Sequence, residues 1–241
     1  THAASERSGG RAAVLEGIAV MSDPIILAID TATEACSVAV NGVAECQVEA
    51  NAHSQILLPM ISRVLQRAGL VLGDLDAIAC GVGPGGFTGV RIGVSTAQAL
   101  AMARGLPVYP VSSLQALAAA TVQPSVLAAL DARKGEVYAA VYVQDERTGL
   151  PVLQGEERVC PPGAVAWPHE GGYWGLGSAW PLYHSEWQQD NVLGWTEDAY
   201  PQADAVLRLA LARHLGGDEG CRPDQLEPHY IRPFLPQDQQ K

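Results

Sequence analysis

Two short turns hold the residues best placed to do chemistry. The longer is Gly81-Val82-Gly83-Pro84-Gly85-Gly86-Phe87-Thr88-Gly89-Val90-Arg91-Ile92-Gly93. Its glycines let the backbone bend sharply and approach another group closely. With Thr88 as helix N-cap, unpaired N–H groups would point out of the turn. That geometry suits an anion, or a packed partner that needs a backbone with no bulk. The turn is not a P-loop, because no Gly-Lys-Ser/Thr follows, and it is not a dinucleotide GxGxxG. The second turn is Asp30-Thr31-Ala32-Thr33. Asp30 with Thr31 and Thr33 is the candidate catalytic group, but the turn has no glycine, so close phosphate approach is harder. Other chemistries lack their residues. There is no G-x-S-x-G, and Ser37 and Ser95 lie within regular elements with no visible base. His53 reads as a partly exposed structural residue at a helix start.

These turns need elements to position them. Ile25 to Ile29 reads as a strand ending at Asp30, followed by strands Cys36 to Val40 and Val43 to Val48 around the hairpin pair Asn41-Gly42. A helix follows from Ser54, its N-cap, to Ala68, bent at Pro59 and stopped by Gly69. A strand at Ala77 to Cys80 feeds the long turn, a helix runs from Thr88 to Arg104, and Pro107 to Val111 is a fifth strand. The second half begins alike: Val126 to Leu130 ends in Asp131, and Val137 to Val143 returns. Asp30 to Val40 and Asp131 to Val141 are both Asp, turn and strand at the same length, which points to duplication and a cleft between two copies. Arg133 and Lys134 in the second turn could hold an anion or simply be solvated. Residues 144–200 are rich in Gly, Pro and Trp; Gly175-Leu176-Gly177-Ser178 reads as a strand-to-helix turn, the alternative being its resemblance to a glycine turn that holds adenosine. Ala203 to Leu215 is an amphipathic helix closed by Gly216-Gly217.

Bulk properties narrow the classes. With 241 residues, 48% of them apolar, a sizeable core is expected. The net charge of −11 argues against binding RNA unaided. The five cysteines (Cys36, Cys46, Cys80, Cys160, Cys221) are scattered and never form CxxC, which fits a reducing compartment and no zinc site. No apolar run reaches the length of a membrane span. Residues 1–23, up to and past Met21, read as a leader or extension without order. They precede an N-terminal unit at 24–122 and a shorter one at 123–222, with the helix at 203–215 able to pack back on the first. A Pro/Gln-rich tail fills 223–241.

Taken whole, Pro84-Gly85-Gly86-Phe87-Thr88-Gly89-Val90-Arg91-Ile92-Gly93 is far more specific than its glycines. It resembles the signature of the TsaB family, subunits of the bacterial tRNA threonylcarbamoyladenosine machinery. The resemblance runs from about Ile25 to Arg232 and takes in Pro228-His229-Tyr230-Ile231-Arg232. The family departs from this chain mainly at Gly86, where Ser is usual. The resemblance implies an α/β fold of two actin-like (ASKHA, RNase H-like) subdomains, mixed sheets with helices, the second shortened. In that superfamily an Asp at the first strand's end works with magnesium and phosphate. Asp30, Thr31, Thr33, Gly83, Gly85, Gly86, Thr88 and Gly89 would then be residual phosphate-type loops. The catalytic relative TsaD carries His-x-x-x-His after the fifth strand; the matching positions here are Ser113 and Leu117. Leu binds no metal, and no other histidine pair has helical ligand spacing, so no metal is expected.

The two long helices suggest a different role. Val90, Val94, Ala97 and Ala101 form one stripe, Ile92, Ala99, Met102 and Ala103 extend it, and only Arg91, Ser95, Gln98 and Arg104 interrupt. A helix apolar and small nearly all round is normally covered on more than one side. In the earlier helix Leu57, Leu58, Ile61, Leu65 and Ala68 read as the core stripe, with Ile56 and Met60 off it beside Arg63 and Arg67. Both helices could simply be central to the monomer. By the resemblance, Ile56, Met60, Arg63, Arg67, Val90, Arg91, Val94, Ala97, Gln98 and Ala101 face a partner: TsaD, or a second copy when TsaD is absent. The implied protein is a cytoplasmic, non-catalytic scaffold, joined to TsaE through TsaD and meeting tRNA only in the complex. It has no cofactor of its own, ATP being possible at the complex interface. An autonomous actin-like ATPase or kinase, and a self-dimerising module with another partner, are the alternatives.

Overall fold

In a computed structural model that describes residues 23–167, 171–187 and 191–231, the chain builds two five-stranded sheets on one plan. The first contains β1 (Ile26–Asp30), β2 (Ala35–Val40), β3 (Val43–Val48), β4 (Ala77–Gly81) and β5 (Val108–Val111), ordered β3-β2-β1-β4-β5. β1 pairs antiparallel with β2 and parallel with β4. The second contains β6 (Ser125–Arg133), β7 (Glu136–Gln144), β8 (Pro151–Cys160), β9 (Tyr173–Leu176) and β10 (Val192–Thr196), ordered β10-β9-β6-β7-β8. β6 again pairs antiparallel with the next strand and parallel with β9. The duplication inferred from Asp30 and Asp131 is therefore a real repeat of topology, with the two aspartates at corresponding places on β1 and β6. The leader and everything past Ile231 lie outside the described residues.

Helices α1 (His53–Ala68) and α2 (Phe87–Arg104) cover one face of the first sheet. Successive strand residues point to opposite faces. Leu27 and Ile29 of β1 accordingly join Leu57, Met60, Val64, Val94 and Ala97 in one core, while Ile26 and Ala28 enter another. That other core is closed by α5 (Ala203–Leu215), through Ala203, Val206, Leu209 and Ala210. The late helix thus completes the first lobe, and Ser37 Oγ accepts the Ala203 N–H at 2.9 Å to fix its start. The short α3 (Ser113–Ala118) packs Leu114 and Leu117 on β6 and β7 between the lobes. On the far face of the second sheet α4 (Trp180–Trp187) buries Trp180 and Trp187, whose indole N–H groups donate to the Leu127 and Pro162 carbonyls.

Several sequence expectations move. α1 begins at His53 with Ala52 as N-cap, not Ser54, and α2 begins at Phe87 with Gly86 as N-cap, not Thr88; neither cap uses a side chain. Strands β8 and β10 fill residues that had no reading, while β9 and α4 flank Gly177-Ser178 as the strand-to-helix turn required. The first part of the tail is bound to the first lobe: Leu226 is buried in its core, and Gln98 Nε2 donates to the Pro223 and Leu226 carbonyls. No helix of the described residues is long and apolar enough to cross a membrane.

Candidate functional site

The Asp30 turn and the glycine turn pack directly on each other. Asp30 Oδ1 accepts the Ala32 N–H at 2.9 Å, and Oδ2 accepts the Ser113 hydroxyl at 2.8 Å. The residue is 1% exposed. Burial pushes its carboxyl above the usual range, against the opposing pull of those hydrogen bonds. Ser113 Oγ also accepts the Gly83 N–H, so one hydroxyl joins both turns. A Cβ on Gly85 would stand 2.2 Å from the Ala32 carbonyl oxygen, and one on Gly89 equally close to that of Thr31. Thr31 is buried and donates to the Gly89 carbonyl at 2.8 Å; Thr33 Oγ1 accepts the Ala35 N–H. The two possibilities for the glycines are thereby resolved: they make room for the neighbouring turn. The Thr31-Ala32 backbone packs against these glycines, and both Asp30 oxygens are bonded within the protein. Asp30 and Thr31 are sealed between the two turns, whereas Ala32, Thr33, Gly85, Gly86, Thr88 and Gly89 line a cavity between the lobes. Gly86 and Thr88 are exposed.

Between the lobes lies a cavity of about 1060 Å³. Asp131 and Arg133 reach it from the second lobe, but Arg133 is ion-paired to Asp131 at 3.0 Å and to Glu34 of the first lobe at 3.4 Å, so it is not a free anion holder. The C-terminal segment closes one side. His229 donates its N–H to the Val82 carbonyl, and its Nε2 stands 3.1 Å from Glu157 Oε2 on β8. Glu157 also accepts hydroxyl bonds from Ser112 and Tyr142. Burial pushes the Glu157 carboxyl up, but the His229, Ser112 and Tyr142 donors outweigh it and hold it below its usual range. The same carboxylate raises the His229 imidazole. This cluster, with Tyr230 beyond it, was invisible in sequence: its members come from four distant segments with no shared spacing. His53 is buried rather than partly exposed, and its Nε2 has no hydrogen-bond partner.

The helix faces need correction too. Met60, Val90, Val94, Ala97 and Ala101 are all buried in the chain's own core. They cannot meet a partner, because the sheet and the neighbouring helix already cover them. Ile56 is partly buried against that core, and Gln98 is occupied by the tail carbonyls. Arg63 and Arg67 bind Glu45 on β3 at 2.5 and 3.3 Å. Leu58, read as core, is instead 58% exposed, and Met102 is 65% exposed. Ser95 and Ala99 are exposed at helical spacing between Arg91 and Met102. Leu58, Phe87, Thr88, Arg91 and Ser95 border a groove of about 440 Å³ between α1 and α2. The open face is therefore the outer one, not the stripe read from the sequence.

A duplicated lobe with a β-β-β-α-β-α-β first half, an interlobe cleft and Asp at the end of each first strand define an actin-like two-lobed protein. The profile of the family described as "TsaD: tRNA N6-adenosine threonylcarbamoyltransferase" matches residues 27–170. The chain is 39% identical over 222 residues to the Escherichia coli K12 "tRNA threonylcarbamoyladenosine biosynthesis protein TsaB", covering 86% of this chain and 94% of that protein. It is 36% identical over 231 residues to the Haemophilus influenzae protein of the same name, covering 88% and 95%. The solved structure of YeaZ from Pseudomonas aeruginosa superposes with a TM-score of 0.80 at 39% identity, over 86% of this chain and 99% of that one. The chain belongs to the TsaB family of tRNA threonylcarbamoyladenosine biosynthesis proteins.

Proposed function

We propose that the chain is a non-catalytic scaffold that pairs with TsaD and, through it, with TsaE. The assembly would transfer a threonylcarbamoyl group to the adenosine beside the anticodon of tRNAs reading codons that begin with A. The observation that carries this reading is the sealing of Asp30: the carboxylate at the end of β1 is buried and bonded to Ala32 and Ser113. What the chain leaves open instead is the outer face of α1 and α2, with Leu58 and Phe87 exposed at the groove and Met102 exposed further along α2. Apolar side chains with an arginine beside them suit a protein interface. Nucleotide would act at the interface of the complex rather than in this chain's own turns. The net charge of −11 leaves tRNA to the partners. The same face would serve a homodimer when TsaD is absent.

Pairing with TsaD, followed by light scattering, tests the reading. Leu58→Glu and Met102→Glu alter exposed positions and keep the fold, and each is expected to abolish the heterodimer. Undiminished pairing of both variants would refute the face. ATP turnover by the chain alone, lost in Asp30→Ala, would instead favour an autonomous ATPase.

A further inference from the structure

We infer that Arg91, clamped by Phe87 and Tyr230, is a preset anchor for a carboxylate on the surface of the docking partner; this rests on the docking reading above. The clamp draws on two separate parts of the chain. Phe87 lies one turn before Arg91 on α2, and the guanidinium carbon stands 3.7 Å from its ring centroid. Tyr230 comes from the C-terminal segment; its hydroxyl accepts the Arg91 Nε–H at 2.7 Å, and its ring lies 6.2 Å from that of Phe87. That segment is fixed in turn by buried Leu226 and by the His229 N–H bond to Val82. Cation–π contact and one hydrogen bond therefore set the plane of the guanidinium before any partner arrives.

What remains open is the outer edge of the fork. Among the described residues neither Nη of Arg91 has an acceptor, and no carboxylate lies within ion-pair distance. Arg63, Arg67, Arg133, Arg158, Arg213 and Arg222 each pair with Asp or Glu, and Arg104 and Arg208 spend an Nη on backbone carbonyls. Arg91 also borders both the α1–α2 groove and the interlobe cavity. A planar fork with its Nε already used presents two parallel donors, the complement of a carboxylate. A prefixed side chain loses less freedom on binding than a free one. An acidic side chain of TsaD is the favoured occupant: it brings one charge to the fork, whereas RNA brings a run of phosphates that a chain of net charge −11 repels.

The test is the affinity for TsaD by titration calorimetry at low and high salt, for the wild type, Arg91→Ala, Arg91→Lys, Tyr230→Phe and Leu58→Glu. Arg91→Ala is expected to weaken pairing about tenfold at low salt, with the loss shrinking as salt rises. Arg91→Lys restores only part, because it keeps the charge but not the fork. Tyr230→Phe weakens pairing less, about threefold, and has no further effect in the Arg91→Ala background. A salt-independent loss in Arg91→Ala, or none, overturns the anchor. If Leu58→Glu abolishes pairing while Arg91→Ala leaves it intact, the docking face stands without the anchor. If Leu58→Glu also pairs normally, the face falls, and the anchor with it. Tighter binding of an RNA oligonucleotide by the wild type than by Arg91→Ala assigns the fork to phosphate and likewise overturns the carboxylate.

Discussion

Replacing Gly85 by Ala separates a packing role for the glycine turn from a ligand-cradling one. The new Cβ would meet the Ala32 carbonyl oxygen at 2.2 Å and the Ala32 Cβ at 2.9 Å. Ordinary carbon–oxygen contact is about 3.4 Å, so the two turns must withdraw by roughly 1 Å in a close-packed setting. Overpacking of this kind costs about 1–3 kcal/mol. Withdrawal also strains the 2.7 Å bond from the Gly86 N–H to the same Ala32 oxygen, a bond worth about 1 kcal/mol. The expected loss is therefore about 2–4 kcal/mol, which lowers a urea midpoint by on the order of 1 M at a typical slope. The neighbouring Gly86→Ala is the internal control. Its Cβ would sit 3.6 Å from that oxygen, at a φ of −63° that any residue adopts, and its midpoint should hold. Equal midpoints for the two variants would refute the packing account. A phosphate cradle would make both stable and show its effect only in ligand binding.

Ser113→Ala removes the hydroxyl that bonds Asp30 Oδ2 and the Gly83 N–H together. With both groups buried, an unfolding titration should show a loss of about 2–3 kcal/mol. The His229–Glu157 pair gives a pH signature. The His229 pKa is raised in the fold, so its contribution is fully present below the ordinary value of 6.5 and fades as pH rises through the raised one. Glu157 is held below its ordinary 4.5, so it stays ionised across this range. His229→Ala should therefore lower the thermal midpoint at about pH 6 and have a smaller effect near pH 9; a gap that does not narrow on raising the pH would refute the pair.

What could be read from the sequence followed from local pattern. Asn41-Gly42 takes positive φ at both residues as its hairpin requires, and Gly69 and Gly105 end α1 and α2 in the left-handed region. The matching Asp-turn-strand segments marked the repeat, because short-range turn chemistry repeats with it. What α2 packs against was not legible. The stripe Val90, Val94, Ala97 and Ala101 is the buried face, but apolar residues on the other sides left open whether it met the chain's own sheet or a partner. Leu58 and Met60 traded places for a related reason: both are large and apolar, and only packing separates them. β8 carries mostly exposed or half-exposed residues and β10 includes an internal glycine, so neither shows the alternation of a half-buried strand. The glycine turn was legible as a close approach but not as to what approached, since Ala32 has no chemical mark.

The placement of α5 bears on how the molecule is made. The back of the first sheet stays uncovered until residues 203–215 have been added, because Val206, Leu209 and Ala210 supply its lid. Residues 221–226 then brace α2 and pair Cys221 with Val108. During synthesis the amino-terminal lobe therefore leaves the ribosome unfinished, with Ile26, Ala28, Ala77 and Ala79 exposed until the carboxy-terminal helix emerges. A chain stopped between the lobes is an incomplete half rather than a small domain. The two lobes, alike in plan, are not separable modules, because one depends on the other's C-terminal extension to fold.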